Sequence, residues 1–312
     1  MLHLGLDIGG TKMEAVLLDQ NGNVRFRERR PTYKADYPGF IHHLVEMVEY
    51  IRTAQKSDFS IGIGLPGAID PGTGLIKNCN CLVLNGENLA QDLACRLDQP
   101  VFLANDADCF TLSEAIDGAG QGYATVFGII VGTGCGGGVV VNGQLLSGPN
   151  AIAGEWGHNP LPGWTPEKDG PVQHCYCQHE NCVESYISGS GFSRRFNEQQ
   201  GSALSTEAII AAAEAGDALA FAHYQHFIDA FARSVAGVIN TLDPHAIVIG
   251  GGLSNVASLY RDLPPAIKKY IFSSSCHTEI VKAKFGDASG VRGAAWLPTL
   301  YSQPTDTARR TA

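Results

Sequence analysis

Short apolar runs punctuated by glycine recur along the chain, and they read as strands delivering loops. Residues 2–8 (Leu-His-Leu-Gly-Leu-Asp-Ile) predict a buried strand, followed by the turn Gly9-Gly10-Thr11-Lys12. Residues 13–18 predict a second strand, ending in an Asn21-Gly22 hairpin turn. Between residues 40 and 55, Ile41, Leu44, Val45, Val48 and Ile51 fall on one face of an amphipathic helix. Residues 60–65 form another strand, closed by Pro66-Gly67, and residues 101–104 a short one that delivers Asn105-Asp106 into a loop. Around residues 117–122 the composition turns glycine-rich, and a domain crossing is placed there.

The second half repeats the opening device. Residues 125–131 predict a strand, Gly132 through Gly138 a glycine loop, residues 139–141 a returning strand, and Asn142-Gly143 another hairpin turn. Strand, glycine loop, strand and Asn-Gly turn thus occur twice, which predicts two structurally related lobes. Residues 221–242 carry Phe221, Tyr224, Ile228, Phe231, Val235, Val238 and Leu242 at helical spacing, and the helix ends at Asp243-Pro244. Residues 246–249 form a buried strand feeding Gly250-Gly251-Gly252. A terminal helix is predicted over 290–300, and the polar tail after Pro304 is expected to fray.

Composition narrows the class. With 312 residues, 44% of them hydrophobic, the chain can bury a core large enough for two lobes. A net charge of -9 and the lack of any basic run argue against nucleic-acid binding, which needs a concentrated basic face. No apolar run is long enough for a membrane span, and nothing reads as a signal peptide. A cytoplasmic location is therefore expected, with the nine cysteines held as reduced thiols.

Candidate chemistry gathers in the loops. Gly132-x-Gly134-x-x-Gly137 matches a dinucleotide pattern in form only, because a β-branched returning strand follows where that motif needs a helix. The better reading is two hairpins, Gly9-Gly10 and Gly132-Thr133-Gly134, whose bare backbone N–H groups let a polyphosphate approach, with Gly251-Gly252 a third contact. Asp7 is placed to act on a metal-bound water near the phosphates, and Thr11 and Thr133 to donate hydroxyl hydrogen bonds. Lys12 is either a phosphate contact or a solvated turn residue. Asp106 is the best candidate for a base that accepts a hydroxyl proton, the alternative being an Asx-type cap on a helix starting near Ala107. Finally, His158, Cys175, Cys177 and Cys182 supply one imidazole and three thiolates, a donor set suited to structural tetrahedral Zn2+. Three unrelated buried thiols are the alternative there, and His174 and His179 are competing imidazoles.

Asp7-Ile-Gly-Gly-Thr-Lys12, Asn105-Asp-Ala107, Gly132-Thr-Gly134, Gly154-Glu-Trp-Gly-His158, Cys175-x-Cys177-x4-Cys182-x-Glu184 and Gly250-Gly-Gly252 occur in one order. Together they resemble the ROK family (repressors, open reading frames, kinases) over nearly the whole chain. The resemblance implies an α/β, actin-like ATPase or hexokinase-type (ribonuclease H-like) fold with ATP and sugar in a cleft between two lobes. It implies lobes at 1–118, rejoined by a C-terminal helix at about 290–302, and at 119–289, which carries the zinc loop, with 303–312 a frayed tail. Asp106 would be the general base. Asn80, Asn105, Asp106, Glu155, His158 and Glu184 would hold the sugar, and His158 would also be a zinc ligand. Asp7, Gly9, Gly10, Thr11, Lys12, Gly132, Thr133, Gly134, Gly251 and Gly252 would hold ATP with Mg2+. Family repressors carry a DNA-binding segment ahead of the first glycine loop, and that loop begins here at residue 9, so a kinase is expected.

Within the family, Lys77-Asn78-x-Asn80, Leu84-Asn85-Gly86, Glu155-Trp-Gly-His-Asn-Pro-Leu-Pro162 and Ser254-Asn-Val256 look most like bacterial fructokinases of the manno(fructo)kinase type. The expectation is conversion of D-fructose and ATP to fructose 6-phosphate and ADP by a cytoplasmic homodimer. N-acetylglucosamine kinase and glucokinase are the alternatives, and a catalytically silent sugar sensor is the alternative of another class. Two departures bear on the site. The cysteine knuckle usually has glycine where Gln178 and Asn181 stand, which puts its turn in question. A tryptophan common three residues after Asn80 is replaced by Val83, thinning one wall of the sugar pocket.

Overall fold

The computed structural model describes residues 1–301. In chain order its first elements are β1 (Leu2–Ile8), β2 (Lys12–Leu18), β3 (Val24–Pro31), α1 (Tyr37–Gln55) and β4 (Phe59–Leu65). There follow β5 (Ala68–Ile69), β6 (Ile76–Lys77), α2 (Leu89–Leu97), β7 (Val101–Asn105) and α3 (Asp106–Ile116). The middle holds β8 (Thr125–Val131), β9 (Cys135–Val141), β10 (Gln144–Leu145), α4 (Pro166–Asp169), α5 (Glu184–Ile187) and α6 (Gly189–Gln200). The last elements are α7 (Thr206–Glu214), α8 (Ala218–Leu242), β11 (Ala246–Gly250), α9 (Ala257–Ile267), β12 (Glu279–Lys282) and α10 (Ser289–Tyr301). The two large sheets share one strand order, β3-β2-β1-β4-β7 and β10-β9-β8-β11-β12. That repeated order, with helices between parallel strands, is the α/β ribonuclease H-like frame. No described helix is long and apolar enough to cross a membrane.

The chain divides into two compact units, residues 1–118 with 139–153 and 288 onward, and residues 119–138 with 154–287. The segment 139–153, which the sequence reading placed in the second lobe, groups with the first unit. There Asn142 and Gly143 both take positive φ (49° and 75°), closing the β9–β10 hairpin with Val140 opposite Leu145. The expected tail at 303–312 lies outside the described residues.

In the first unit β1 pairs antiparallel with β2 and parallel with β4, and β4 pairs parallel with β7. Asp7 stands opposite Gly64, and Leu65 opposite Asn105, so the carboxyl ends of three strands share one edge. Ligands of open α/β sheets bind at such an edge. The helix α1 starts where Asp36 accepts a hydrogen bond from Gly39 N–H (2.7 Å) and stops at the left-handed Lys56. Its Phe40, Ile41, Leu44, Met47, Val48 and Ile51 are buried, so the predicted stripe gains Phe40 and Met47 while Val45 is only partly buried. The helix α10 lies so close to the strands that a Cβ on Gly62 would overlap the Ala294 carbonyl oxygen. Backbone contact of that kind excludes any side chain at Gly62.

In the second unit β11 lies between β8 and β12 and is parallel to both. The helix α8 is capped by Asp217 and ends at Asp243 in the left-handed region, just before Pro244. One sequence expectation changes here. Gly136, Gly137 and Gly138 belong to β9, not to the loop before it. They are strand glycines because other backbone packs on them: a Cβ on Gly137 would stand 3.0 Å from both the Gly154 carbonyl oxygen and Trp156 Cδ1.

Candidate active site and metal centre

The first unit brings Asp7, the first glycine turn, Asn80, Asn105 and Asp106 to the carboxyl edge of its sheet. Gly9 N–H donates to the Lys12 carbonyl (3.0 Å), closing a tight turn in which Gly10 has no neighbour where a Cβ would stand. Thr32, just past the end of β3, steadies the turn by donating from Oγ1 to the Gly9 carbonyl (2.7 Å). Thr11 and Lys12 are exposed. Asp7 is held in a socket between two glycines, with Gly290 on α10 on one side and Gly64 on the other. Burial pushes its carboxyl up to about 6, and the negative charges of Asp106 and Glu14 add to the effect. Glu14 is itself paired with Arg27 and Arg29.

Asn105 and Asp106 divide the work that the sequence left open for Asp106 alone. Asn105 caps α3, its Oδ1 accepting from Ala107 N–H (2.8 Å), while its Nδ2 donates to the Gly67 carbonyl (3.0 Å). Asp106 is the first residue of the helix proper, and its Oδ1 also accepts from Ala107 N–H (2.8 Å). The carboxylate thus lies at the positive end of the α3 dipole. Asn80 is exposed, and its N–H is tied to the Pro66 carbonyl (3.1 Å). Val83 is partly buried against the apolar core of the unit, while Leu82 beside it is 79% exposed.

The second unit assembles its own group. Gly132 N–H donates to the Gly134 carbonyl (3.0 Å), leaving Thr133 exposed at the tip. Gly251, at φ 80°, lies over the Val131 carbonyl, and a Cβ on Gly132 would stand 4.0 Å from Gly252 N, so the two glycine loops of this unit are neighbours. Glu184, at the start of α5, accepts from Cys135 N–H (2.8 Å) and so ties the cysteine segment to the glycine loop. That bond has no sequence signal, because 49 residues separate its partners.

The Gly154-Glu-Trp-Gly-His158 segment owes its pattern to β9. A Cβ on Gly154 would overlap the Gly137 carbonyl, and one on Gly157 the Cys135 carbonyl. Between these glycines Trp156 is buried, packing on Phe127 and Phe231 and donating from Nε1 to the Gly136 carbonyl (3.1 Å). The same backbone leaves Glu155 exposed and turns His158 toward the cysteines.

His158, Cys175, Cys177 and Cys182 have ligand atoms all within 4.8 Å of one another. Cys177 and Cys182 sulfurs are 3.5 Å apart, and Cys175 Sγ is 3.6 Å from His158 Nδ1. Metal–sulfur bonds of about 2.3 Å place tetrahedral ligands roughly 3.5–4 Å apart, so these residues fit zinc. His179 Nδ1 lies 3.8 Å from Cys177 Sγ and His174 pairs with Glu180, both outside the four-residue group. Gln178 (φ 72°) and Asn181 (φ 55°) both adopt the left-handed conformation. The knuckle thus keeps a glycine-type turn without glycines, at a steric cost for Gln178. One residue escaped the sequence reading: Tyr176 directs its hydroxyl to His158 Nε2 (2.9 Å). Its only signal was its place between Cys175 and Cys177.

A family model described as the ROK family matches residues 3–299. The chain is 39% identical over 299 residues to the N-acetyl-D-glucosamine kinase of Yersinia pseudotuberculosis serotype O:1b, covering 95% of this chain and 98% of the relative. Among solved structures it is similar to a ROK hexokinase from Thermus thermophilus, with TM-score 0.83, 28% identity and coverage of 95% of this chain and 97% of that one. It is also similar to a ROK family glucokinase from Streptomyces griseus in complex with glucose and AMPPNP, with TM-score 0.73, 26% identity and coverage of 95% and 98%. The chain therefore belongs to the ROK family, as a sugar kinase.

Proposed function

We propose that the chain transfers the γ-phosphoryl group of MgATP to a hydroxyl of N-acetyl-D-glucosamine. The observation that carries this reading is the 39% identity, over 95% of the chain, to an N-acetyl-D-glucosamine kinase. The fructose expectation has no support in these relatives and gives way to the alternative held beside it. What the segments around Asn80 and Glu155 share with fructokinases is a frame, and a frame does not choose the acceptor.

In this mechanism the Asp106 carboxylate accepts the proton of the attacking hydroxyl, and that oxygen forms a bond to the γ-phosphorus as ADP departs. The position of Asp106 at the first turn of α3 supports the role, because cap duty falls to Asn105. The backbone N–H groups of Gly9-Gly10, Gly132–Gly134 and Gly251-Gly252, with the exposed Thr11, Lys12 and Thr133, contact the phosphates. Glu155, His158 and Glu184 hold sugar hydroxyls, with Asn80 and the second amide hydrogen of Asn105. His158, Cys175, Cys177 and Cys182 would hold zinc, which would supply a structural cross-link for the knuckle and so help to orient the imidazole.

An ADP-release assay over N-acetylglucosamine, glucose, mannose and fructose tests the reading. N-acetylglucosamine is expected to give the highest kcat/KM. A preference for fructose would restore the first expectation, and sugar binding without turnover on any of the four would favour a sensor.

A further inference from the structure

We propose that Tyr176 is a specificity-determining residue of the sugar site, its hydroxyl occupying His158 Nε2 until a sugar hydroxyl displaces it. This inference rests on the reading that His158, Glu155 and Glu184 hold the acceptor.

Tyr176 stands between two metal-ligating positions, yet its side chain turns back over the imidazole. The hydroxyl lies 2.9 Å from His158 Nε2, with the rings perpendicular (89°) and their centroids 5.1 Å apart. Among the described residues no other hydrogen bond holds its hydroxyl, and the residue is 80% exposed. Leaving this position therefore gives up one hydrogen bond and little packing.

His158 can serve only one such partner well. Its Nδ1 faces Cys175 Sγ at 3.6 Å, and a metal bound there takes that nitrogen's lone pair. The ring proton then resides on Nε2, which has a single N–H to give. A phenol oxygen and a sugar oxygen compete for it. That N–H is a recognition element for a hydroxyl oxygen, and in the free protein the hydroxyl it meets belongs to Tyr176. An acceptor must present a hydroxyl there to replace the lost bond, and a sugar without one leaves the imidazole to the phenol.

The test is calorimetric titration of N-acetylglucosamine, glucose and fructose into the zinc-loaded wild type and Tyr176→Phe. Removing the competing hydrogen bond is expected to lower the sugar Kd about fivefold. The MgATP Kd and the zinc content are expected to stay at wild-type values. Unchanged or weaker sugar binding in Tyr176→Phe overturns the proposal. So does a loss of zinc, which would assign the phenol to support of the metal. If the wild type binds none of the three sugars while keeping its zinc, the underlying sugar-site reading falls, and this inference with it.

Discussion

Asn105 and Asp106 differ by one residue and by one structural duty. Asn105 spends its amide on Ala107 N–H and the Gly67 carbonyl as the cap of α3, while Asp106, the first residue of the helix, shares the Ala107 N–H. Asp106→Asn is expected to lower kcat by roughly 10²–10⁴, the usual contribution of a positioned base, while calorimetry still detects sugar binding. Turnover close to wild type would remove Asp106 from the role. Asp7 carries a different signature. Its carboxyl titrates near 6 in the folded chain and near 3.8 when unfolded, so between those values the folded state binds the extra proton. The folded state is therefore favoured below pH 4 and loses about 3 kcal/mol as pH rises through 6. Asp7→Asn should recover much of that loss, with a Tm advantage at pH 8 that vanishes by pH 4, and should impair turnover. An advantage independent of pH would show that burial of the charge is not the cause. The Asp7 strand was legible in the sequence, but the loop expected at Asn105-Asp106 is instead the direct junction of β7 and α3. The glycine socket around Asp7 was not legible, because Gly64 and Gly290 come from distant segments.

At the scale of elements, the Gly154–His158 segment illustrates how packing dictates a motif. Its glycines face β9 carbonyls, so Gly157→Ala must push the segment off the strand. A loss of about 1–3 kcal/mol is expected in denaturant unfolding, together with weakened sugar binding through displaced Glu155 and His158. Full stability in that variant would contradict the packing argument. The cysteine knuckle offers the opposite change. Gln178→Gly relieves a left-handed side-chain residue and should stabilise the turn by about 1 kcal/mol, read as tighter zinc retention against a chelator. Equal retention would mean that the strain is relaxed elsewhere. Periodicity gave β1, β2, β4, β7, β8 and α8 because each has one buried face or a continuous apolar run. It misplaced the start of β9, since glycine carries no apolar signal and the strand is defined by its pairing with β8 and its packing under Gly154 and Trp156.

For the whole molecule, the glycine loops and the cysteine knuckle are held by different means, and removal of zinc should separate them. Chelation is expected to weaken sugar affinity before MgATP affinity, because Tyr176, His158 and Glu184 lie on or next to the knuckle while the glycine loops are closed by backbone bonds. Hydrogen exchange should quicken around residues 159–183 and stay slow in β1 and β4. If chelation leaves sugar affinity untouched, the knuckle is structural only. The chain by itself determined the frame: short strands alternate with glycine turns twice, and apolar period and turn chemistry are local properties that survive without a partner. It also brought forward His158, Cys175, Cys177 and Cys182 as one group, because one imidazole and three thiols form a tetrahedral metal donor set. Only the tertiary structure decided which neighbour caps α3, why glycines line β9, how Glu184 meets Cys135, and that Tyr176 stands on His158. Those contacts join residues far apart in sequence or depend on a rotamer, and neither leaves a periodic trace in the chain.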